Sequence, residues 1–173
     1  MMTHGPPKGG IELPFDTVHE GWSIYKTKDG AVIKMKLILL KLLLTDVDES
    51  GNPLFAAGSN LIFAVTVPHE MKGAPNDQPV TQKQIQDSLV ESDIPFETVK
   101  EEWNTYNAEG AVVNVKPIAT VISRSSLFDG NGDPIYYIQY QPIVKGDVAP
   151  EVRRKFLKIK REKLPKVKGN HRS

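Results

Sequence analysis

Two short stretches of the sequence carry residue types that could bind calcium. The first, TDVDESGNP, places Asp46 and Asp48 at the spacing that opens an EF-hand loop, and the second is FDGNGDP in the later half of the chain. An EF-hand loop closes with a bidentate glutamate at its twelfth position. The twelfth positions here are Ala57 and Tyr140. The sequence therefore favours turns, in which Asp and Asn side chains accept hydrogen bonds from nearby backbone N–H groups and glycine adopts a positive φ.

Other groupings with catalytic or metal-binding chemistry are scarce. The chain has no cysteine, so thiolate nucleophiles, disulfides and cysteine-ligated zinc are excluded. Its histidines show no H-x-x-x-H spacing, and neither a G-x-S-x-G motif nor a P-loop is present. We therefore predict no catalytic residue, no cofactor and no metal ion. An enzyme or small-ligand protein with a cleft between the repeats described next is kept as an alternative.

The sequence contains an internal repeat, and the structural elements of this repeat must position any functional residue. The segment PFDTVHEGWSIY, from Pro14, matches PFETVKEEWNTY, from Pro95, and the offset of 81 residues aligns Trp22 with Trp103. The match continues through GAVIKMK and GAVVNVK, includes two Gly-x-Pro turns, and extends to Val67 and Val148. Agreement over three blocks predicts an internal duplication.

Each copy is predicted to be a three-stranded β-meander. An Asp-Gly pair in the first copy and a Glu-Gly pair in the second lie between alternating segments, which is a strong hairpin signal. The long second strands are predicted at 31–45 and 111–124, and the third strands begin at Leu54 and Ile135. The segment before each hairpin fits either a short helix or extended chain.

One three-stranded meander cannot bury both of its faces. Two copies related by a pseudo-twofold axis would close into one six-stranded barrel or sandwich, and two separate small barrels are the alternative. The predicted fold class is thus mainly β, with a short linker helix capped by Thr81 over 81–93 and a basic C-terminal helix from Pro150. The predicted organisation is a flexible N-terminus at 1–13, β repeat 1 at 14–68, a linker with a short helix at 69–94, β repeat 2 at 95–149, and a basic C-terminal helix and tail at 150–173.

Positive charge is concentrated at the C-terminal end. Residues 151–173 contain ten lysines and arginines against two glutamates, a net charge of +8, whereas residues 1–150 have a net charge of −7. This asymmetry predicts an interaction tail whose partner is nucleic acid or an acidic protein surface. The alternative is a solvated cationic helix that packs Phe156 against the sheet or docks against the acidic body. The predicted contact residues are Arg153, Arg154, Lys155, Lys158, Lys160, Arg161, Lys163, Lys166 and Lys168.

Strand 31–45 is apolar on both of its predicted faces, which indicates that both are covered. A helix of the same chain is the favoured cover. A partner or a second copy would instead make Leu40, Leu42 and Leu44 an interface, and self-association is then expected. In the second copy, Tyr136 and Tyr140 alternate on one face of a strand, a pattern more typical of core than of an aromatic platform that stacks bases.

The remaining composition indicates a soluble protein. The chain is 39% hydrophobic and 25% charged, which is ordinary for a globular domain. Its longest apolar run, 37–44, is broken by Lys41 and is far shorter than the roughly 20 residues that cross a bilayer. No apolar signal-peptide region follows Met1. We expect a cytoplasmic protein without membrane contact, and a non-catalytic binding or assembly module rather than an enzyme.

Overall fold

A computed structural model of the chain describes the backbone of residues 2–4 and residues 9–164 in full. The strands are β1 (Met2–His4), β2 (Ile11–Leu13), β3 (Asp16–His19), β4 (Ser23–Thr27), β5 (Val32–Val47), β6 (Pro53–Thr66), β7 (Leu89–Glu91), β8 (Phe96–Lys100), β9 (Asn104–Ala108), β10 (Ala111–Phe128) and β11 (Pro134–Asp147). The helices are α1 (Gln82–Asp87) and α2 (Pro150–Lys163), and a 3-10 turn covers His69–Met71.

The strands form two antiparallel sheets, so the predicted mainly β fold class is confirmed. The first has the order β1-β6-β5-β4-β8, with β2 also paired to β5, and the second has the order β11-β10-β9-β3, with β7 paired to β10. The sheets contain six and five strands because the lead-in segments and parts of the N-terminus and linker are also extended. The strands β1 and β2 lie within segment 1–13, for which the sequence predicts no element.

Each sheet includes one strand from the other half of the chain. The lead-in strand of the first half, β3, pairs with β9, and that of the second half, β8, pairs with β4. The extended interpretation of these segments is confirmed. As strands, β3 and β8 form backbone hydrogen bonds with β9 and β4, so their backbone groups have partners. The halves are therefore joined by two β-ladders as well as by the linker.

The local signals of the hairpins and the helix caps agree with the structure. Gly30 and Gly110 have φ values of +103° and +86°, as the predicted hairpin turns require. Thr81 forms a complete capping box with Gln84, but α1 ends at Asp87 rather than continuing to residue 93. The predicted helical continuation is wrong because residues 89–91 pair with β10 as β7.

A β-bulge at Leu40 changes which residues of β5 face the core. Leu39 pairs with Ser59 and Lys41 pairs with Gly58, so one residue has no partner in the ladder. The bulge reverses the alternation of core-facing and outward-facing side chains, because the inserted residue moves every later side chain of the strand to the other face. The prediction that Leu40, Leu42 and Leu44 share an available face is therefore wrong, since Leu40 is 49% exposed whereas Leu42 and Leu44 are completely buried.

The two sheets enclose one shared core. It contains Tyr25, Ile33, Met35 and Leu37 from the first sheet and Tyr106, Val113, Val115, Ile122, Tyr136 and Ile138 from the second. A second cluster lies beneath α2 and consists of Leu13, Leu44, Val47, Ala111, Val148 and Phe156. A helix of the same chain, the favoured cover of strand 31–45, thus covers Leu44 at its end, whereas Leu42 packs in the shared core and Leu40 is exposed.

Candidate functional site

The predicted contact residues lie on α2, and this helix is fixed to the body by an apolar contact. Pro150 occupies its first turn, where the missing N–H costs no helical hydrogen bond. The Phe156 ring is completely buried and meets the Phe55 ring edge to face, with centroids 6.1 Å apart. The helix is therefore a fixed part of the surface, and its cationic side chains project from a defined position.

Two of the cations hold α2 against acidic residues of the body. Lys155 Nζ lies 2.7 Å from Glu109 Oε2, and Lys160 Nζ lies 3.2 Å from Asp46 Oδ1. The backbone N–H of Val47 and then Lys160 keep the pKa of the Asp46 carboxyl below its ordinary value. These two lysines attach α2 to the rest of the protein. Their ion pairs agree with the alternative of a helix that docks against the acidic body.

Four other cations of α2 are exposed: Arg154, Lys158, Arg161 and Lys163. They have no ion-pair partner among residues 9–164. The side chains of 154, 158 and 161 follow one another at intervals of four and three residues, which places them in one row along the helix. We call these three side chains the cationic row.

The remaining predicted contacts have other positions. Arg153 is half-buried, and its Nε has no hydrogen-bond partner within the described part of the chain. Its backbone lies over Gly51, where an added Cβ would be 2.6 Å from the Arg153 carbonyl oxygen. Lys166 and Lys168 lie outside the described residues.

The stretches with calcium-like spacing form two equivalent turns. Asp48 Oδ1 accepts hydrogen bonds from the backbone N–H groups of Ser50 and Asn52, both at 2.9 Å. Asp129 Oδ1 accepts equivalent bonds from Asn131 and Asp133, at 2.8 and 2.9 Å. The backbone bond from Asn52 is the first cause that lowers the pKa of Asp48. The predicted turn structure is confirmed.

The structure brings together a group of residues that the sequence-based site prediction missed. Lys34 and Lys36 place their ammonium groups 5.2 and 5.8 Å from the Trp22 ring centroid. Lys116 and Lys145 lie 4.8 and 4.9 Å from the Trp103 ring centroid. The available signal was the repeat itself, which aligns the two tryptophans and also aligns Lys36 with Lys116. We call the two groups the Trp–Lys sites.

The tryptophans of the two Trp–Lys sites lie in two short connections in which the chain passes from one sheet to the other. We call these connections the crossings, and they contact each other. Residues 20–22 connect β3 to β4, and residues 101–103 connect β8 to β9. The backbone N–H of Gly21 donates to Asn104 Oδ1 at 3.0 Å, and that of Glu102 donates to Ser23 Oγ at 3.2 Å. The tryptophans therefore emerge from directly adjacent backbone segments.

The glutamate carboxylates of these crossings contact hydrogen-bond donors or cations nearby. Glu20 accepts a 2.7 Å hydrogen bond from the Tyr106 hydroxyl and another from the backbone N–H of Leu39. Glu102 lies 2.8 Å from Lys100 and 3.3 Å from His19, and these contacts, Lys100 first, lower its pKa.

Glu101 is engaged in the same way. It accepts a 2.8 Å bond from Tyr25 and lies 3.9 Å from Lys116 Nζ. Each acidic group at the crossings thus has a donor or a cation beside it.

A small cavity lies where β6 and β11 approach α1. Its volume is about 210 Å³, and its walls include Phe63, Ile85, Tyr136 and Tyr137. Ligand sites usually measure about 300–1,000 Å³, so this space is small for an organic substrate. The predicted core position of Tyr136 is confirmed, since it is buried, and Tyr140 is partly buried against the same core.

Comparisons with known proteins identified no relative. The chain matched no protein-family model, no curated protein and no solved structure. Among the helices of residues 9–164, none has both the length and the apolar composition needed to cross a bilayer. Within the same residues, no three histidine or carboxylate side chains converge in an arrangement that could hold a metal ion.

Proposed function

We propose that this protein is a non-catalytic binding module whose C-terminal helix contacts nucleic acid. The observation that carries this proposal is the cationic row of Arg154, Lys158 and Arg161, which is exposed on a helix anchored by the buried Phe156 ring. An α-helix rises about 1.5 Å per residue, so the row extends for roughly 10 Å. Cations held on a fixed helix lose less freedom on binding than cations on a flexible tail.

The composition of the row favours phosphate over an acidic protein surface. Two of its three members are arginines, whose planar guanidinium groups bind phosphate oxygens in pairs. Protein interfaces instead rely on apolar or aromatic anchors at a dry centre. The apolar side chain within the row, Leu157, is half-buried against the body and offers little of such an anchor.

We also infer that the two halves arose by internal duplication. Support comes from the exchanged strands β3 and β8 and from the two Asp-centred turns. A further bulge at Thr120 of β10 corresponds to the one at Leu40 of β5, at the offset of 80 residues seen in that part of the repeat. Similar folding of two unrelated sequences would not require bulges at matching positions.

The other candidate functions have weaker support. An oligomer built through the face of strand 31–45 retains only Leu40 of its three predicted interface residues, because Leu42 and Leu44 are buried. For a small-ligand or enzymatic cleft between the halves, the described residues offer the 210 Å³ cavity beside α1 and a shallow depression of about 380 Å³ lined by residues 26–28 and 95–97. Neither alternative accounts for the exposed cations of α2.

The test compares two charge-reversal variants of equal size. Arg154→Glu with Arg161→Glu changes the cationic row, and Lys26→Glu with Lys28→Glu changes two exposed lysines of the β4–β5 hairpin. Fluorescence anisotropy with labelled single-stranded and duplex oligonucleotides, at two salt concentrations, measures affinity. We expect the row variant to bind at least about 10-fold more weakly, with a salt slope reduced by about two, and the hairpin variant to change little.

Two results would contradict the proposal. One is the absence of oligonucleotide binding at low salt by the unmodified chain. The other is equal weakening by both variants, which would show that only the total charge matters. Binding of a polyacidic peptide but of no oligonucleotide would assign the row to an acidic protein partner instead.

A further inference from the structure

The geometry points to two further contact sites, the Trp–Lys sites, each of which binds single-stranded nucleic acid by stacking a base on its indole and placing phosphates at its lysines. This inference rests on the class of partner in the proposed function but uses different residues. It concerns Trp22 with Lys34 and Lys36, and Trp103 with Lys116 and Lys145.

The charge of the sites is available to an anion. Within the described residues, Lys34, Lys36 and Lys145 have no carboxylate partner, and Lys116 has only the 3.9 Å contact with Glu101. The indoles are partly exposed rather than core residues. A site that combines a partly exposed indole with cations beside it matches a nucleotide, in which a flat base lies next to a phosphate.

The same features favour single strands over duplexes. The bases of a duplex are stacked on one another, so their faces cannot reach an indole without unstacking. Single strands offer a face at every nucleotide, and stacking on aromatic side chains is tolerant of sequence. We therefore expect affinity for single strands of any sequence, with modest preferences.

The two sites lie on the outer faces of different sheets, because Lys34 and Lys36 alternate with buried residues of β5 and Lys116 alternates with buried residues of β10. The crossings that carry Trp22 and Trp103 are hydrogen-bonded to each other through Gly21 and Glu102. The acidic side chains at this point are already paired with tyrosine hydroxyls or with cations. Each Trp–Lys site is therefore expected to bind a strand on its own.

A purely structural role makes a different prediction. Lysine stems can cover an apolar sheet face while their ammonium groups stay in water, and a tryptophan beside them then needs no ligand. In that case the indole environment would not change when an oligonucleotide binds elsewhere on the protein. The two readings are separated by following the indoles directly.

Intrinsic fluorescence provides this measurement because the chain has only two tryptophans. Trp22→Phe leaves only the Trp103 signal, and Trp103→Phe leaves only the Trp22 signal. We expect unlabelled oligothymidylate to quench each remaining indole to saturation, and a duplex of equal length to quench neither. Replacing Lys34 and Lys36 by alanine should weaken single-strand binding about 5-fold or more, with little effect on duplex binding.

Combining these readouts with the row variant separates the two proposals. Saturable quenching in the Arg154→Glu, Arg161→Glu protein supports the Trp–Lys sites even if the helix proposal fails. Oligonucleotide binding by anisotropy without any change in indole fluorescence overturns the Trp–Lys sites and leaves the helix proposal intact. Equal quenching by duplex and single strand overturns the stacking inference, and no binding in either assay overturns both.

Discussion

The Tyr25 hydroxyl donates a 2.8 Å hydrogen bond to Oε2 of Glu101, a residue 76 positions later in the chain. The equivalent pair in the repeat has the donor and the acceptor in the opposite halves, since the Tyr106 hydroxyl of the second half donates to Glu20 of the first half at 2.7 Å. Both tyrosine side chains are almost completely buried in the shared core. Each half therefore supplies the acceptor for the buried phenol of the other.

Removal of either phenol should destabilise the fold to a similar degree. In Tyr25→Phe, Glu101 loses a donor and the buried Ala119 N–H loses the acceptor that it meets at 3.2 Å. We expect a loss of about 1–3 kcal/mol in the free energy of unfolding, measured by urea denaturation, and a comparable loss for Tyr106→Phe.

The matched control is Tyr137→Phe, which removes an exposed bond to Gln86 and should cost less than about 0.5 kcal/mol. A large cost for only one of the two core tyrosines would contradict the equivalence of the two halves.

Truncation of the anchor of α2 should loosen the helix that carries the cationic row. Phe156→Ala removes a completely buried ring that packs on Phe55, and it should lower the free energy of unfolding by about 3–5 kcal/mol. Lys158→Ala, on the exposed side of the same helix, is the control and should have little effect. Chemical denaturation measures both. Similar stabilities for the two variants would show that α2 is not docked through its ring.

The turn at Gly51 should tolerate no side chain. Its φ is +91°, and an added Cβ would lie 2.6 Å from the carbonyl oxygen of Arg153. Gly9 has the same φ of +91°, and no atom of the described residues lies within 4 Å of an added Cβ, so Gly9→Ala isolates the backbone strain. We expect Gly9→Ala to cost about 1–2 kcal/mol and Gly51→Ala clearly more. Equal melting temperatures for the two variants would refute the close approach of α2 to this turn.

The buried tyrosines should make the fold sensitive to strong alkali. Burial raises the pKa of Tyr140 to about 12, and burial is also the main cause that raises the pKa values of Tyr25, Tyr106 and Tyr136. The folded state therefore favours the neutral phenols. For Tyr140 this contribution is complete below the unfolded pKa of about 10 and is lost as the pH rises from there through about 12.

Denaturation curves at several pH values between 9 and 12, with phenolate absorbance recorded in parallel, test this expectation. Tyr140→Phe should show a smaller loss of stability across that range than the unmodified protein. Ionisation of all five tyrosines near pH 10 without loss of structure would contradict the buried positions.

The features that the sequence predicted correctly are those that neighbouring residues decide. Gly30 and Gly110 adopt the positive φ of hairpin turns, and Thr81 and Pro150 mark the starts of the helices. Alternation along β11 identified Tyr136 as core. These features depend on a few adjacent positions, and local backbone preferences are therefore enough to specify them.

The features that were missed depend on partners far along the chain. One unpaired residue at Leu40 shifted Leu42 and Leu44 into the core, because a bulge reverses the period of two that face assignment relies on. The nucleic-acid interpretation likewise began from charge alone. The position of the lysines beside Trp22 and Trp103 became visible only when β4 and β9 were placed against β5 and β10.

By itself, the sequence determined a mainly β chain with glycine hairpins and a basic C-terminal helix, because these follow from side-chain period, turn residues and charge. Only the tertiary structure decided that β3 and β8 exchange sheets, that Phe156 fixes α2, and that the two crossings meet. Pairing across about 80 residues is selected by the packing of the whole core, and no short stretch of sequence carries that information.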